Sequence, residues 1–175
     1  MSTNWRISSF NGVLLAAYFI PTWTMVAFKI MVSPIHGLYE QPNISVALFI
    51  SDHLQLAALT TVRFAWLLAL GRLTVVAFFA IFVFFLTRPS IRKSGGCDEA
   101  LAMALAIGSL ISFASMVLAS QVGETGALKL HATELLMLLG TAIVLLVERP
   151  PQAATDRSAA AGDLSLQQSQ LLEHR

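Results

Sequence analysis

Two charged residues interrupt long apolar stretches of the chain, which makes them the first candidates for chemistry. Arg72 lies inside the stretch 64–86, and Glu134 lies inside the stretch 130–147. A charge at the bilayer centre costs roughly 2.5–3.5 kcal/mol on insertion scales, so each residue needs a partner or a route to water. If both stretches are helices, Arg72 lies about 12 Å from the start of its stretch and Glu134 about one turn from the start of its own. We therefore predict that Arg72 and Glu134 form a buried charge pair. The pair would clamp two helices in register or, alternatively, line a path for a substrate or a proton.

Three of the four histidines, together with Glu134, suggest a second kind of site. His36, His53 and His131 all fall near the outer face of the membrane in a topology with four spans. Imidazole and carboxylate groups are ligands for zinc, copper and iron, and histidine is also an axial ligand of haem. The sequence therefore suggests a site in the outer leaflet, formed by His36, His53, His131 and Glu134, that binds a divalent metal or haem. The alternative is that these histidines lie at the interface and bind nothing.

The composition is that of a membrane protein. The chain has 175 residues, of which 56% are hydrophobic and 12% are charged, whereas an ordinary soluble domain has about 25% charged residues. Its 11 basic and 10 acidic residues provide no basic surface for nucleic acid. The single cysteine, Cys97, excludes chemistry that needs a thiol pair. The sequence also contains no phosphate-binding glycine loop and no Gly-x-Ser-x-Gly nucleophile motif.

The elements that must position these residues are membrane-spanning helices. A bilayer core about 30 Å thick requires roughly 20 apolar residues per helix. Four stretches qualify, which predicts an all-α, polytopic protein with a bundle of four transmembrane helices at 10–32, 64–86, 100–120 and 130–147. A further apolar stretch, 45–62, contains polar residues and is predicted as an extra exoplasmic or interfacial helix, or as an upward extension of the second span. The alternative is a fifth crossing.

Basic residues indicate the orientation, because lysine and arginine concentrate on the cytoplasmic side of membranes. The loop after the second span carries Arg88, Arg92 and Lys93, so it is predicted to lie inside. With four spans Arg6 also lies inside, whereas a fifth crossing would place it outside. We therefore predict a multi-pass protein of the cell membrane, inner or plasma, with both termini in the cytoplasm.

The composition changes after residue 148. Pro150 and Pro151 stop the last helix, and the residues that follow are too poor in bulky apolar groups to fold by themselves. This predicts a membrane domain at 1–148 and a disordered cytoplasmic tail at 149–175.

Small residues in the third span predict close helix contacts. Ala104, Gly108 and Ser112 recur at four-residue spacing, which lets two helix backbones approach each other in lipid. The stripe is predicted to pack within the chain or, alternatively, against other membrane subunits or a second copy. Because no catalytic motif is present, a non-enzymatic subunit or assembly component of a membrane complex is the first functional hypothesis. A redox, metal-binding or haem-binding membrane protein is the alternative, and a small oligomeric transporter or channel is the second alternative.

Overall fold

Long apolar stretches form helices in a membrane because a helix satisfies its own backbone hydrogen bonds. The computed structural model describes residues 6–55, 57–88 and 96–148, and these residues form helices and no strand. Four helices are long and apolar enough to cross a membrane. They are α1 (Ile7–Val32), α4 (Ala58–Leu86), α5 (Gly96–Val122) and α6 (Thr125–Glu148). The predicted all-α bundle with four spans is confirmed.

The linker between α1 and α4 contains two short helices, α2 (Pro34–Tyr39) and α3 (Ile44–Phe49), and α3 continues into a π-helical turn at Ile50–Leu54. Helix rise gives Ile44–Leu54 a length of about 16 Å, roughly half of a bilayer core. Gln55 then adopts a left-handed conformation with φ 44°, which ends the helix. The predicted single helix at 45–62 is therefore divided: its first part belongs to the linker, and its last residues belong to α4.

The core of the bundle forms where α4 packs between α1 and α5. Gly12 allows α1 to approach closely, because a Cβ atom at this position would lie 2.8 Å from Phe82 Cζ. Ala104, Gly108 and Ser112 are all buried inside the bundle, and the nearest neighbours of a Cβ at Gly108 would be Leu138 and Val75. The small-residue stripe of the third span thus packs within the chain.

A tight turn joins α5 to α6. Gly123 has φ 75°, a left-handed conformation that glycine adopts easily and that commonly ends helices, and the Glu124 backbone N–H donates to the Ala119 carbonyl at 3.0 Å. The two helices therefore run antiparallel as a hairpin. This places Ser112 of α5 beside Glu134 of α6.

Two ends of the bundle can be distinguished. The N-terminal end holds Arg6, Arg88 and the start of α5, where Arg6 Nη1 lies 2.5 Å from Asp98 Oδ2. The linker end holds residues 33–55 and the turn at Gly123. The predicted tail at 149–175 lies outside the described residues, as do Arg92 and Lys93.

Candidate functional site

Glu134 is the centre of a polar network inside the bundle. The residue is 3% exposed. Trp23 Nε1 donates a hydrogen bond to Oε1 at 3.2 Å, and Ser112 Oγ donates to Oε2 in a longer contact of 3.4 Å. His131 Nδ1 lies 3.0 Å from Oε2. Helices α1, α5 and α6 therefore each contribute a partner to one carboxyl group, as the burial of such a group requires.

His131 connects this network to the linker. Its Nε2 lies 3.1 Å from the Pro42 carbonyl oxygen, and a carbonyl only accepts, so Nε2 carries a hydrogen. Asn43 steadies this part of the linker, because its buried Nδ2 donates to the Gly37 carbonyl at 2.9 Å. The network thus extends from the middle of the bundle to its linker end.

The hydrogen on Nε2 limits how the His131–Glu134 contact can be protonated. Nδ1 and Oε2 can share one further proton, either as an imidazolium beside a carboxylate or as a neutral imidazole beside a carboxylic acid. The pair has no net charge in either form. Loss of that proton would set two lone pairs against each other at 3.0 Å, or would remove the hydrogen from Nε2. His131 Nδ1 and Glu134 Oε2 are therefore close enough to share one proton.

Arg72 is buried nearby, and some of its hydrogen-bond donors lack an acceptor. It is 1% exposed, and its Cζ lies 5.5 Å from the ring centroid of Trp23. Its Nε and Nη1 have no hydrogen-bond partner among the described residues. The guanidinium is attracted by the Glu134 carboxylate, but the described part of the chain contains no ion pair between the two residues. Instead Trp23 contacts both residues, so the predicted pairing is indirect.

The four residues predicted as metal or haem ligands are not assembled into one site. His36 and His53 are exposed on the linker, where the ring of His53 stacks on Phe49 with centroids 4.8 Å apart. Only His131 and Glu134 are in contact with each other. In the three described segments no group of three or more histidine, cysteine, aspartate or glutamate residues could hold a metal ion. The short linker helices explain this, because they direct their histidines away from the bundle.

Two cavities flank the network along α1. The first, which we call the α1–α6 cavity, has a volume of about 320 Å³ and is lined by Asn11, Leu14, Leu15, Tyr18, Leu136, Met137, Gly140 and Thr141. The second, which we call the linker cavity, has a volume of about 230 Å³ and is lined by Met25, Val26, Lys29, Gly37, Glu40, Gln41 and Asn43. On α1 Trp23 lies between the two sets of lining residues and is 2% exposed.

His131 and Glu134 line neither cavity, but residues next to their contacts line both. The Pro42 carbonyl, which accepts from His131, lies between two residues that line the linker cavity, Gln41 and Asn43. On the other side Tyr18, which lines the α1–α6 cavity, lies five residues before Trp23, the donor to Glu134. The pair therefore lies between the lining residues of a cavity nearer the linker end and those of a cavity nearer the N-terminal end.

The sequence identified the ionisable members of this site but not its neutral ones. Trp23 fits no interfacial aromatic belt, and a tryptophan far from the interface is itself a signal, since its N–H needs a partner there. Pro42 contributes a backbone carbonyl, for which residue type gives no signal.

Comparison of this chain with protein-family models, with characterised proteins and with solved structures finds no match.

Proposed function

We propose that this multi-pass membrane protein is non-enzymatic and transfers protons across the membrane through the His131–Glu134 pair. The observation that carries the proposal is the position of this pair between the linker cavity and the α1–α6 cavity. A relay of side chains needs no open pore, so the path lies within one chain.

The proposed path has three proton transfers, each between neighbouring groups. At the start the Glu134 carboxylate has lost its proton and His131 is neutral, with its hydrogen on Nε2. When the contact with the Pro42 carbonyl opens, the His131 ring turns, and its unprotonated Nδ1 takes up a proton from the linker cavity. The ring turns back, and the imidazolium passes its Nδ1 proton to Glu134 Oε2, 3.0 Å away. Glu134 then releases the proton towards the cavity that Tyr18 lines, which restores the starting form of both residues and conserves the number of protons.

Arg72 gives this path selectivity. Its buried positive charge repels sodium and potassium ions, which would also have to lose their hydration shells to enter. A proton avoids this barrier because it moves along hydrogen bonds rather than as a free ion. The same charge stabilises the Glu134 carboxylate after it has lost its proton.

The geometry favours transport over the subunit or assembly role that the sequence suggested first. A clamp between Arg72 and Glu134 would place the guanidinium donors on the carboxylate, but Nε and Nη1 of Arg72 have no partner in the described residues. The small-residue stripe is buried within the chain, so packing inside the bundle accounts for its small side chains. The proposal keeps the orientation inferred from the basic flanks, with the N-terminal end in the cytoplasm of a cell membrane.

The experiment is proton flux in liposomes that contain the purified full-length protein. A pH-sensitive dye is enclosed, and a potassium gradient with valinomycin provides the driving force. We expect flux above that of protein-free liposomes and a decrease of roughly tenfold or more in Glu134→Gln, since a positioned acid–base group contributes about that much or more. Glutamine has the shape of glutamate but cannot carry the proton.

The matched control is Lys129→Gln, which removes an exposed charge from the same helix and should leave the flux unchanged. His131→Gln provides a second test if Glu134→Gln does not elute as a monodisperse protein. The proposal is overturned if liposomes with and without protein have the same flux, or if a monodisperse variant of either residue conducts like the unaltered protein.

A further inference from the structure

The α1–α6 cavity contains two polar side chains whose donors are not used within the described residues. The Asn11 amide and the Tyr18 hydroxyl both line this cavity, and neither forms a hydrogen bond with any residue that the structure describes. Thr141, the third polar lining residue, already donates to the Met137 carbonyl of its own helix at 3.0 Å. The cavity therefore presents two unused hydrogen-bonding groups, both of them on α1.

The depth of Tyr18 in the membrane makes its hydroxyl unusual. Helix rise puts Tyr18 about 16 Å from the start of α1, near the middle of a helix of 26 residues. Tyrosines of membrane proteins concentrate at the two interfaces, where water is available to the hydroxyl. In hydrocarbon a polar group without a partner is costly, and lipid tails contain no acceptor. The position of Tyr18 thus points to a bound molecule that supplies one.

Asn11 and Tyr18 lie on the same face of α1. They are seven residues apart, which is two helical turns and about 10 Å along the axis. Side chains of a helix lean towards its N-terminus, so the long side chain of Tyr18 extends towards the level of Asn11. A single ligand in the cavity is therefore within reach of both donors.

The charge of the cavity and its access define the class of ligand. None of the described residues that line it is charged, so it provides no counter-ion for a fatty-acid carboxylate or a phospholipid headgroup. Leu14 and Leu136 are 56% and 72% exposed within the spans, so the cavity opens towards lipid. Gly140 widens it, because a Cβ atom there would meet nothing within 4 Å. A fitting ligand is uncharged, enters from the lipid and carries hydrogen-bond acceptors on an apolar body.

We propose that the α1–α6 cavity binds a lipid-soluble quinone, whose two carbonyl oxygens accept hydrogen bonds from the Asn11 amide and the Tyr18 hydroxyl. A quinone ring is neutral and flat, with its carbonyl oxygens on opposite sides, and its apolar tail remains in the lipid. The cavity volume of about 320 Å³ lies in the usual range for sites of small organic molecules. This inference goes beyond the proposed function and does not rest on it, because His131 and Glu134 do not line the cavity.

Trp23 can report the binding, since it lies on α1 five residues after Tyr18 and quinones quench tryptophan fluorescence. The background variant Trp5→Phe/Trp66→Phe leaves Trp23 as the sole tryptophan. This protein is placed in lipid nanodiscs and titrated with decylubiquinone, a quinone with a short apolar tail. We expect saturable quenching of Trp23. Decylbenzene has the same tail and no carbonyl oxygen, so as a competitor it should not restore the fluorescence.

Removal of one donor at a time tests the two contacts. Tyr18→Phe and Asn11→Leu each remove a hydrogen-bonding group and keep much of the side-chain volume. We expect each to weaken the binding of decylubiquinone roughly tenfold, as the loss of a hydrogen bond does. The matched control is Tyr39→Phe, which removes the hydroxyl of an exposed tyrosine in the linker and should leave the affinity unchanged.

Filling the cavity tests its location. Gly140→Leu places a side chain in open space on α6, so it should abolish the saturable quenching while the protein still elutes as a monodisperse species. Leu139→Phe enlarges the neighbouring residue, which does not line the cavity, and should bind decylubiquinone like the background. If Gly140→Leu binds it with the affinity of the background, the inference is overturned.

Other occupants of the cavity would give different results. Displacement of decylubiquinone by a similar concentration of decylbenzene would assign the cavity to lipid chains and overturn the inference. A dimeric background protein that becomes monomeric in Asn11→Leu would assign the donors to a second copy, with the same consequence. Unchanged affinity in both Tyr18→Phe and Asn11→Leu would also contradict it. Proton flux is measured separately without quinone, so absence of flux would contradict the proposed function and leave the quinone site intact.

Discussion

A hydrogen bond between Trp23 and Glu134 joins α1 to α6, in which the indole Nε1 donates to Oε1 at 3.2 Å inside the bundle. The same indole ring lies over the guanidinium of Arg72. Trp23 therefore contacts both buried charges, and it keeps them apart while it stabilises each. Substitutions at Trp23, Arg72 and Glu134 can therefore remove these contacts one at a time.

Substitution of Trp23 should reveal the strength of its bond to Glu134. Trp23→Phe keeps an aromatic ring but removes the donor, so a buried carboxyl group loses a partner. We expect the free energy of unfolding in a denaturing detergent titration to fall by about 1–3 kcal/mol. Trp66→Phe, at an exposed tryptophan, should change it by less than about 0.5 kcal/mol. Equal effects of the two substitutions would contradict the structural role of Trp23.

Removal of the Arg72 charge and removal of the Glu134 charge should change the free energy of unfolding by different amounts. Arg72→Met should leave the free energy of unfolding within about 1 kcal/mol of the unaltered protein, since similar-sized apolar residues commonly replace buried charges without loss. Glu134→Leu should cost about 3 kcal/mol, because Trp23 and His131 both lose their partner. The same detergent titration measures both variants. A large loss in Arg72→Met would instead indicate a direct clamp between Arg72 and Glu134.

His131 should hold the linker against the bundle through the Pro42 carbonyl. In His131→Ala this contact is lost, so we expect faster hydrogen–deuterium exchange in peptides that cover residues 34–54. Mass spectrometry of the detergent-solubilised protein measures this exchange. His36→Ala serves as the control, because His36 is exposed on α2. Unchanged exchange in His131→Ala would show that the linker is held by other contacts.

Two glycines provide a matched test of the packing of α1. A Cβ atom at Gly12 would lie 2.8 Å from Phe82 Cζ, whereas one at Gly140 would meet nothing within 4 Å. We expect Gly12→Ala to lower the free energy of unfolding by about 1–3 kcal/mol through overpacking. Gly140→Ala should raise it by up to about 1 kcal/mol, since alanine is the better helix former. If Gly12→Ala were as stable as Gly140→Ala, the close approach of α1 and α4 would be wrong.

The orientation can be tested with single cysteines in a Cys97→Ala background. Tyr39→Cys lies at the linker end and Thr87→Cys at the N-terminal end, and both positions are exposed. In intact cells a membrane-impermeant maleimide should label the protein only at position 39. Permeabilised cells should allow labelling at both positions. Labelling at position 87 in intact cells would reverse the proposed orientation. The native Cys97 is a poor reporter, because it is buried.

The spans were predictable because hydrophobicity and length are enough to identify a membrane helix, but their ends were not. Helix α4 begins at Ala58 and α6 at Thr125, several residues before the predicted stretches at 64 and 130. The apolar core of a bilayer sets only a minimum length, and helices continue beyond it with polar residues such as Lys129. The break at Gln55 was missed because no glycine or proline marks it.

The charged residues of the site could be predicted from the sequence, but the contacts between them could not. Arg72, His131 and Glu134 are conspicuous because ionisable residues are rare in such a setting. The spans, however, are apolar on all sides, so their sequences do not reveal which face of each helix points inwards. Without that rotation, neither the insertion of Trp23 between the two charges nor the separation of His36 and His53 from His131 could be foreseen.

The tight turn at Gly123 also affects how the protein enters the membrane. Helices α5 and α6 are joined so closely that they can insert as one hairpin, and two partners of Glu134, His131 and Ser112, belong to that hairpin. The carboxyl group therefore has two of its partners inside the hairpin, and the tryptophan of α1 supplies the third. A hairpin that inserts as one unit would carry its buried charge with those two partners in place.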